Sequence, residues 1–235
     1  MAIDAGYKLV LLLKSVDVLE PDDFTHAWVE QERQTPTSSR GLLRTAFGGP
    51  SAHASPVASG SPFDAVLETW WDKKNSAADW VTSREFHEAW LPRRLELLAS
   101  RPTAVGGIPQ TLRTSEQTAG LRCVKVVVLP VSSGRLRFHE FTGMWTGDHA
   151  RLALAGAGTA ERVLQLEYTP APLKPPSIFN CGPYSGVGAI TFASMEAVTA
   201  ELESDYYRTT VAPDEARFTD AAASASFVTV EVALA

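Results

Sequence analysis

The chain contains two diverged copies of one structural unit. The segment from Leu19 to Trp28 aligns without a gap with the segment from Leu136 to Trp145, at an offset of about 117 residues. Further matches, at an offset of about 121 residues, place Ser83 on Ser204, Phe86 on Tyr207 and Pro92 on Pro213. Because such a repeat must build the same unit twice, we predict a first repeat over residues 1–110, a linker over 111–120 and a second repeat over 121–235.

Each copy predicts the order strand, helix, strand, strand, helix, strand. This order is typical of a ferredoxin-like unit, an antiparallel sheet that carries its helices on one face. The other face of a single unit stays bare and needs a partner. We therefore expect an α+β fold of two fused ferredoxin-like repeats, whose antiparallel sheets face each other as an intramolecular dimer and close a barrel around a cavity.

Composition restricts the classes of partner. The chain is 45% hydrophobic and 20% charged, as in ordinary globular proteins. A formal charge of −6 and a pI near 5.4 argue against nucleic-acid and anionic-membrane partners, which need clustered Lys and Arg. No apolar run approaches the ~18–20 residues of a membrane span. Two cysteines give neither a disulfide framework nor a zinc spacing, so a cytoplasmic protein without a bound metal is expected.

Two sequence patterns, each present in both halves, carry a family resemblance. Phe141, Trp145 and His149 follow one another at four-residue steps in the second half, and Phe24, Trp28 and Glu32 do so in the first. The strand patterns run from Phe63 to Trp71 and from Tyr184 to Phe192. Together they resemble the EthD-like branch of the dimeric α+β barrel superfamily, over nearly the whole chain. That superfamily includes cofactor-free monooxygenases, isomerases, cyclases, decarboxylases and heme enzymes, so the resemblance implies a fold more firmly than a reaction.

His149 is the strongest catalytic candidate. On a helix from Arg137, the side chains of Phe141, Trp145 and His149 share one stripe, so the histidine continues a buried face. Imidazole titrates nearest neutrality and therefore suits general acid/base catalysis. The competing interpretation is a structural histidine that bonds only to the backbone. Asp148 precedes it directly but points away from it on a helix, so these neighbours are not expected to form a dyad.

The pattern of the third strand in each repeat predicts which residues line the cavity between the sheets. Alternation places Val66, Glu68 and Trp70 on the inner face of one sheet, with Val187 and Thr191 opposite them. Burial of Glu68 in an apolar pocket would raise the pKa of its carboxyl towards neutrality, as acid/base catalysis requires. Alternatively, Glu68 pairs with a lysine such as Lys8 or Lys14. Catalytic assistance is also expected from Tyr184, and substrate contacts are expected from Val66, Trp70, Trp145, Val187 and Thr191.

Three functions follow as hypotheses. The first is a cofactor-independent enzyme of the lyase or isomerase type, which decarboxylates, dehydrates, cyclises or isomerises a hydrophobic, aromatic or polyketide-like small molecule. The second is a non-catalytic binding or accessory protein of an oxidative degradation pathway. The third is a heme protein with His149 as axial ligand. The fused unit could in each case pair with a second copy of itself, and the sequence does not identify the substrate.

Overall fold

The computed structural model describes residues 4–51, 61–115, 123–172, 174–232 and 234. These residues form nine strands: β1 Tyr7–Leu13, β2 Leu42–Pro50, β3 Ala65–Trp71, β4 Thr103–Gly107, β5 Gln110–Thr114, β6 Val124–Leu129, β7 Val163–Pro170, β8 Gly186–Phe192 and β9 Ala225–Val232. The α-helices are α1 Pro21–Gln34, α2 Lys74–Thr82, α3 Leu91–Leu95, α4 Phe138–Met144, α5 Ala150–Ala153, α6 Thr159–Arg162, α7 Met195–Leu202 and α8 Ala212–Glu215. Three π-helical turns, Phe86–Trp90, Trp145–His149 and Tyr207–Val211, lie directly before α3, α5 and α8.

The strands form one antiparallel sheet that contains two ferredoxin-like units. Its order is β4-β1-β3-β2-β9-β6-β8-β7-β5, so each unit keeps the same internal order, and β2 pairs with β9 where the units meet. The strands at the two edges, β4 and β5, are separated in the chain by only Ile108 and Pro109. Because two residues cannot span a flat nine-stranded sheet, the sheet must curl until its edges meet. The predicted fusion of two ferredoxin-like repeats is confirmed.

Alternation along the strands separates two cores. Residues such as Leu9, Leu67 and Trp71 face the helices of the first repeat. The opposite faces meet inside the sheet, where one end is packed with apolar side chains: Val10, Leu12, Val66, Val105, Val127, Leu129, Val187 and Phe227. The interior at this end is therefore a filled core, as in other small barrels.

Each repeat packs a helix on its sheet through the same aromatic pair. In the first repeat, the ring of Trp28 stacks on that of Phe47, with centroids 5.0 Å apart. In the second repeat, Trp145 stacks on Tyr168 at 5.2 Å. The repeated pair shows that the two units retain one packing scheme even where their sequences differ.

Element boundaries differ from the predictions at several places. The predicted linker over 111–120 begins inside β5, Gln110–Thr114, which pairs with β7 of the second unit. Residues 116–122, which include the rest of that linker, lie outside the described residues. Within the described chain, no helix is both long enough and apolar enough to cross a membrane.

Candidate active site

A cavity of about 150 Å³ lies in the second repeat, between the outer face of the sheet and the helices that cover it. Its walls are mainly apolar and include Val126, Val128, Leu154, Val163, Ile190 and Phe192. Four titratable side chains also line it: His149, Glu201, Tyr207 and Glu215. Its volume is close to that of a cavity of ~150 Å³ that accommodates one benzene ring in another protein.

The cavity exists because the second repeat has smaller side chains where the first has large ones. Trp90 ends the π-helical turn of the first repeat, whereas Val211 ends the corresponding turn of the second. Leu67 pairs with Phe47 across β3 and β2, whereas Gly188 pairs with Tyr168 across β8 and β7. In the first repeat, Trp80 and Trp90 pack edge to face with centroids 5.0 Å apart and fill the equivalent space. At this place between helices and sheet, the described residues thus fill the space in the first repeat and leave it open in the second.

A π-helical turn places His149 in the cavity wall. The first helix of repeat one is regular over Pro21–Gln34. Its counterpart is interrupted between α4 and α5 by the turn Trp145–His149, which contains Gly147. Such turns are rare and occur frequently at functional sites. In the first helix of each repeat, this interruption is present only where the cavity lies, and His149 is the last residue of the turn.

His149 is held by a carboxylate. The ring is 7% exposed, and its Nδ1 lies 3.0 Å from Oδ2 of Asp214 at the start of the last helix. The other carboxylate oxygen of Asp214 accepts a hydrogen bond from Nη1 of Arg217 at 2.9 Å. Because an ionised Asp214 can only accept, Nδ1 carries the proton and Nε2 is left as the basic nitrogen. The pair thus has the base–orienter arrangement of a general base.

The other titratable side chains of the cavity differ in charge. The negative charge of Glu201 is compensated by Arg162, which donates a hydrogen bond to its carboxylate at 2.6 Å, and Thr159 donates another at 2.9 Å. Burial, together with the charges of Glu215 and Glu201, raises the pKa of Tyr207 to about 12, so this phenol is neutral at physiological pH. Burial also raises the pKa of Glu215, and a positive charge on His149, once that ring is protonated, opposes the shift. The wall therefore carries little fixed charge.

Glu68 does not have the raised pKa that the sequence predicted. It lies on the inner face of the sheet, 1% exposed, where it accepts hydrogen bonds from Lys8 at 2.6 Å and from Lys125. Burial alone would raise the pKa of this carboxyl, but the two lysines outweigh it and lower the pKa to about 2. The alternative prediction, a pair with Lys8, is confirmed, and the pair is buried in the interior of the sheet.

The residues predicted to line a cavity between the sheets instead face a packed interior. Trp70 lies under two cations, with Nζ of Lys8 4.3 Å and the guanidinium carbon of Arg44 4.7 Å from its ring. The remaining space beside Glu68, Trp70 and Thr191 is about 10 Å³, which is room for roughly one water. Val66 and Val187 belong to the apolar end of the interior. The predicted location of the cavity was therefore wrong, because the charged network and these side chains fill it.

Two of the predicted site residues come together in the observed cavity. His149 and Trp145 both line it, with ring centroids 5.5 Å apart. Tyr184 is distant from them in the fold, since its ring contacts Phe63 and packs against the interior core of the sheet. Burial raises the pKa of its phenol as well. Tyr184 is therefore not placed to assist His149.

Sequence reasoning missed Asp214, Glu215 and Val211. Asp214 contacts His149 across 65 residues of chain, a separation that no helical periodicity predicts. The repeat did contain a signal. Pro92 aligns with Pro213, so Arg94 aligns with Glu215, and Arg94 bonds to Glu32 at the position of His149.

The cavity does not fit a heme. A porphyrin exceeds a drug-sized ligand, for which pockets measure about 300–1,000 Å³, and this cavity is about 150 Å³. The His149 ring is also packed edge to face against Phe218 at 5.1 Å. Among the described residues, no cluster of three or more His, Cys, Asp or Glu side chains has the geometry to hold a metal ion.

Comparison with known proteins agrees with this architecture. Residues 135–222 match the EthD domain family. An anthrone oxidase-like protein superposes with a TM-score of 0.68 at 13% identity, over 98% of this chain and 92% of the other. A candidate monooxygenase from Fusobacterium nucleatum gives 0.59 at 7% identity, over 99% and 94%. A variant of chlorite dismutase from Candidatus Nitrospira defluvii gives 0.53 at 12% identity, over 99% and 94%.

No curated protein sequence matches the chain significantly. At identities this low, the similar structures show the fold alone. The family match covers α4 to α8, which are the helices over the cavity, and it includes His149, Asp214 and Glu215. The chain therefore folds as two fused ferredoxin-like units in one curled antiparallel sheet, and residues 135–222 of its second unit are similar to the EthD domain family.

Proposed function

We propose that the protein is a cofactor-independent acid/base enzyme of the lyase or isomerase type, which acts on a compact, hydrophobic small molecule. The observation that carries this proposal is His149, which the carboxylate of Asp214 orients at the wall of a mainly apolar cavity. The described structures of similar fold include proteins named as monooxygenases and oxidase-like proteins, which supports small-molecule catalysis or binding.

The chemistry follows from the position of the proton. With Nδ1–H donated to Asp214, Nε2 of His149 takes a proton from a carbon of the bound substrate, and Asp214 stabilises the imidazolium that forms. Apolar walls such as Val126 and Phe192 exclude water, which strengthens these electrostatic interactions. The resulting carbanion or enolate then collapses by reprotonation at another atom or by loss of a leaving group.

The volume restricts the substrate. About 150 Å³ accommodates roughly one ring, so the proposed substrate is monocyclic or of similar size, smaller than a polyketide-like polycycle. A carbonyl beside the reacting carbon would make its proton acidic enough for an imidazole base. One-ring ketones are therefore the probes of choice.

The first test measures deuterium incorporation into acetophenone, phenylacetone and cyclohex-3-enone in D₂O by ¹H NMR. We expect the protein to accelerate exchange beside the carbonyl of at least one ketone, and Val211→Trp to abolish this acceleration. The substitution places in the cavity the residue that fills it in the first repeat, where Trp90 is tolerated. Val18→Trp, at a side chain that is 88% exposed, is the matched control and should leave exchange unchanged.

Two outcomes would contradict the proposal. Exchange that persists in Val211→Trp, with an unchanged melting temperature, would place the reaction outside this cavity. Binding of all three ketones without accelerated exchange would indicate a binding protein.

A further inference from the structure

Glu215 lies beside the proposed base, and its environment differs from that of the other carboxyl in the cavity wall. It ends α8, lines the same cavity as His149 and directly follows Asp214, which orients that histidine. Within the described parts of the chain, Glu215 forms no ion pair with a lysine or arginine, whereas the other cavity carboxylate, Glu201, is paired with Arg162. No lysine or arginine among the described residues therefore stabilises the ionised form of Glu215, in contrast to Glu201.

The first repeat shows what these two positions do when no cavity is present. Glu32 and Arg94 stand at the positions of His149 and Glu215 and bond to each other at 2.5 Å. Both are buried, Arg94 completely, and the guanidinium also donates to backbone oxygens of Thr35 and Trp90. That pair is structural, since both side chains are buried and bonded to each other. In the second repeat, the same two positions hold side chains that can exchange protons, and they flank empty space.

We propose that Glu215 is the acid partner of His149 and donates its carboxyl proton to a carbonyl oxygen of the substrate. The inference rests on the proposed function of His149 as the base. In the step, the C–H bond beside the carbonyl breaks and its proton goes to Nε2 of His149. The electron pair forms the C=C bond of an enol, the carbonyl π bond opens, and the oxygen takes the proton of Glu215.

The balance of this step identifies the substrate class. The site ends the step as imidazolium and carboxylate, and it is restored when the enol returns its O–H proton to Glu215 and takes the proton of His149 at the same or another carbon. No oxidant or other co-reactant is needed. Of the neighbouring groups, Glu201 is paired with Arg162, and the phenol of Tyr207 is a much weaker acid than a carboxyl, because burial raises its pKa to about 12. The substrate is therefore a ketone, or another carbonyl compound, of about one ring.

A pair of carbon acids separates the role of Glu215 from that of His149. Acetophenone needs its oxygen protonated as the enol forms, whereas the anion of 2-phenylnitroethane is stable without protonation. We expect Glu215→Gln to slow enzymatic exchange of acetophenone by about 100-fold and to change exchange of the nitroalkane less than about threefold, since one general acid contributes ~10²–10⁴. Glu215→Asp should recover part of the ketone activity. His149→Asn should slow both.

The results divide the two proposals. Equal loss with both substrates in Glu215→Gln would mean that Glu215 acts through His149, and full ketone activity would mean that it is a bystander; each overturns this inference and leaves the function of His149 standing. If His149→Asn retains exchange of both substrates, the proposed function itself fails. Gln is isosteric with Glu, so circular dichroism and melting of Glu215→Gln serve as the check on folding.

Discussion

Glu68→Gln is expected to lower the free energy of unfolding by about 3–5 kcal/mol at neutral pH, because it leaves two buried lysines without their shared partner. Lys8 and Lys125 are 1% and 5% exposed and come from the first strand of each repeat. Glu68 contacts both, while Glu167 pairs with Lys8 and Glu231 with Lys125. The network therefore ties the two repeats together inside the sheet.

The effect depends on pH in a direction set by the pKa of Glu68. Its pKa falls from an ordinary value of 4.5 to about 2 in the folded protein, so the folded state prefers the ionised carboxylate. The unfolded chain binds the proton first, and the stabilisation is fully present above about pH 4.5 and is lost as pH falls towards about 2. The difference in stability between the natural protein and Glu68→Gln should therefore shrink across this interval.

Urea unfolding followed by circular dichroism measures the loss. Glu231→Gln is the matched control, since its side chain is 29% exposed and pairs with Lys125 at 3.1 Å from the outer end of the network. We expect this control to cost less than about 1 kcal/mol, as partly exposed pairs usually do. Equal losses in the two variants would contradict the view that burial of the lysines makes Glu68 indispensable.

The repeat made the fold predictable, but it did not predict which face of the sheet holds the cavity. Offsets in the sequence paired the strands and helices, and the four-residue spacing placed Phe141, Trp145 and His149 on one buried face, as observed. The cavity arises where Val211 and Gly188 replace the larger Trp90 and Leu67, among side chains far apart in the sequence. Periodicity reports which side of an element is buried and carries no information about how completely that side is filled.

Glu68 illustrates the same limit for electrostatics. Strand alternation placed it correctly on the inner face beside Trp70. Its charge state depends on Lys8 and Lys125, and Lys125 is 57 residues away in the chain. Lys8 and Lys125 stand at equivalent positions of the two repeats, so aligning the copies could have predicted two lysines near Glu68. The burial of a carboxyl therefore does not determine its charge state unless its charged partners are also known.

The largest effect on activity is expected from His149→Asn, which should slow deuterium exchange of the reactive ketone by about 10²–10⁴-fold, the usual contribution of a general base. Asparagine keeps a polar group near Asp214 but has no basic nitrogen of comparable strength to accept the proton. Ligand binding should change little, because the apolar walls remain. His87→Asn is the matched control: this histidine is exposed on the first repeat and should be replaceable without loss.

Asp214→Asn tests the same base through its tautomer. An amide at this position can donate to Nδ1 of His149 and thereby favour the proton on Nε2, which removes the basic nitrogen from the cavity. We expect a loss comparable to that of His149→Asn, with little further loss in the double variant, because residues that act as one unit are not additive. Losses that multiply in the double variant would show that Asp214 acts independently of His149. In that case the 3.0 Å contact between them would stabilise the last helix rather than orient the base.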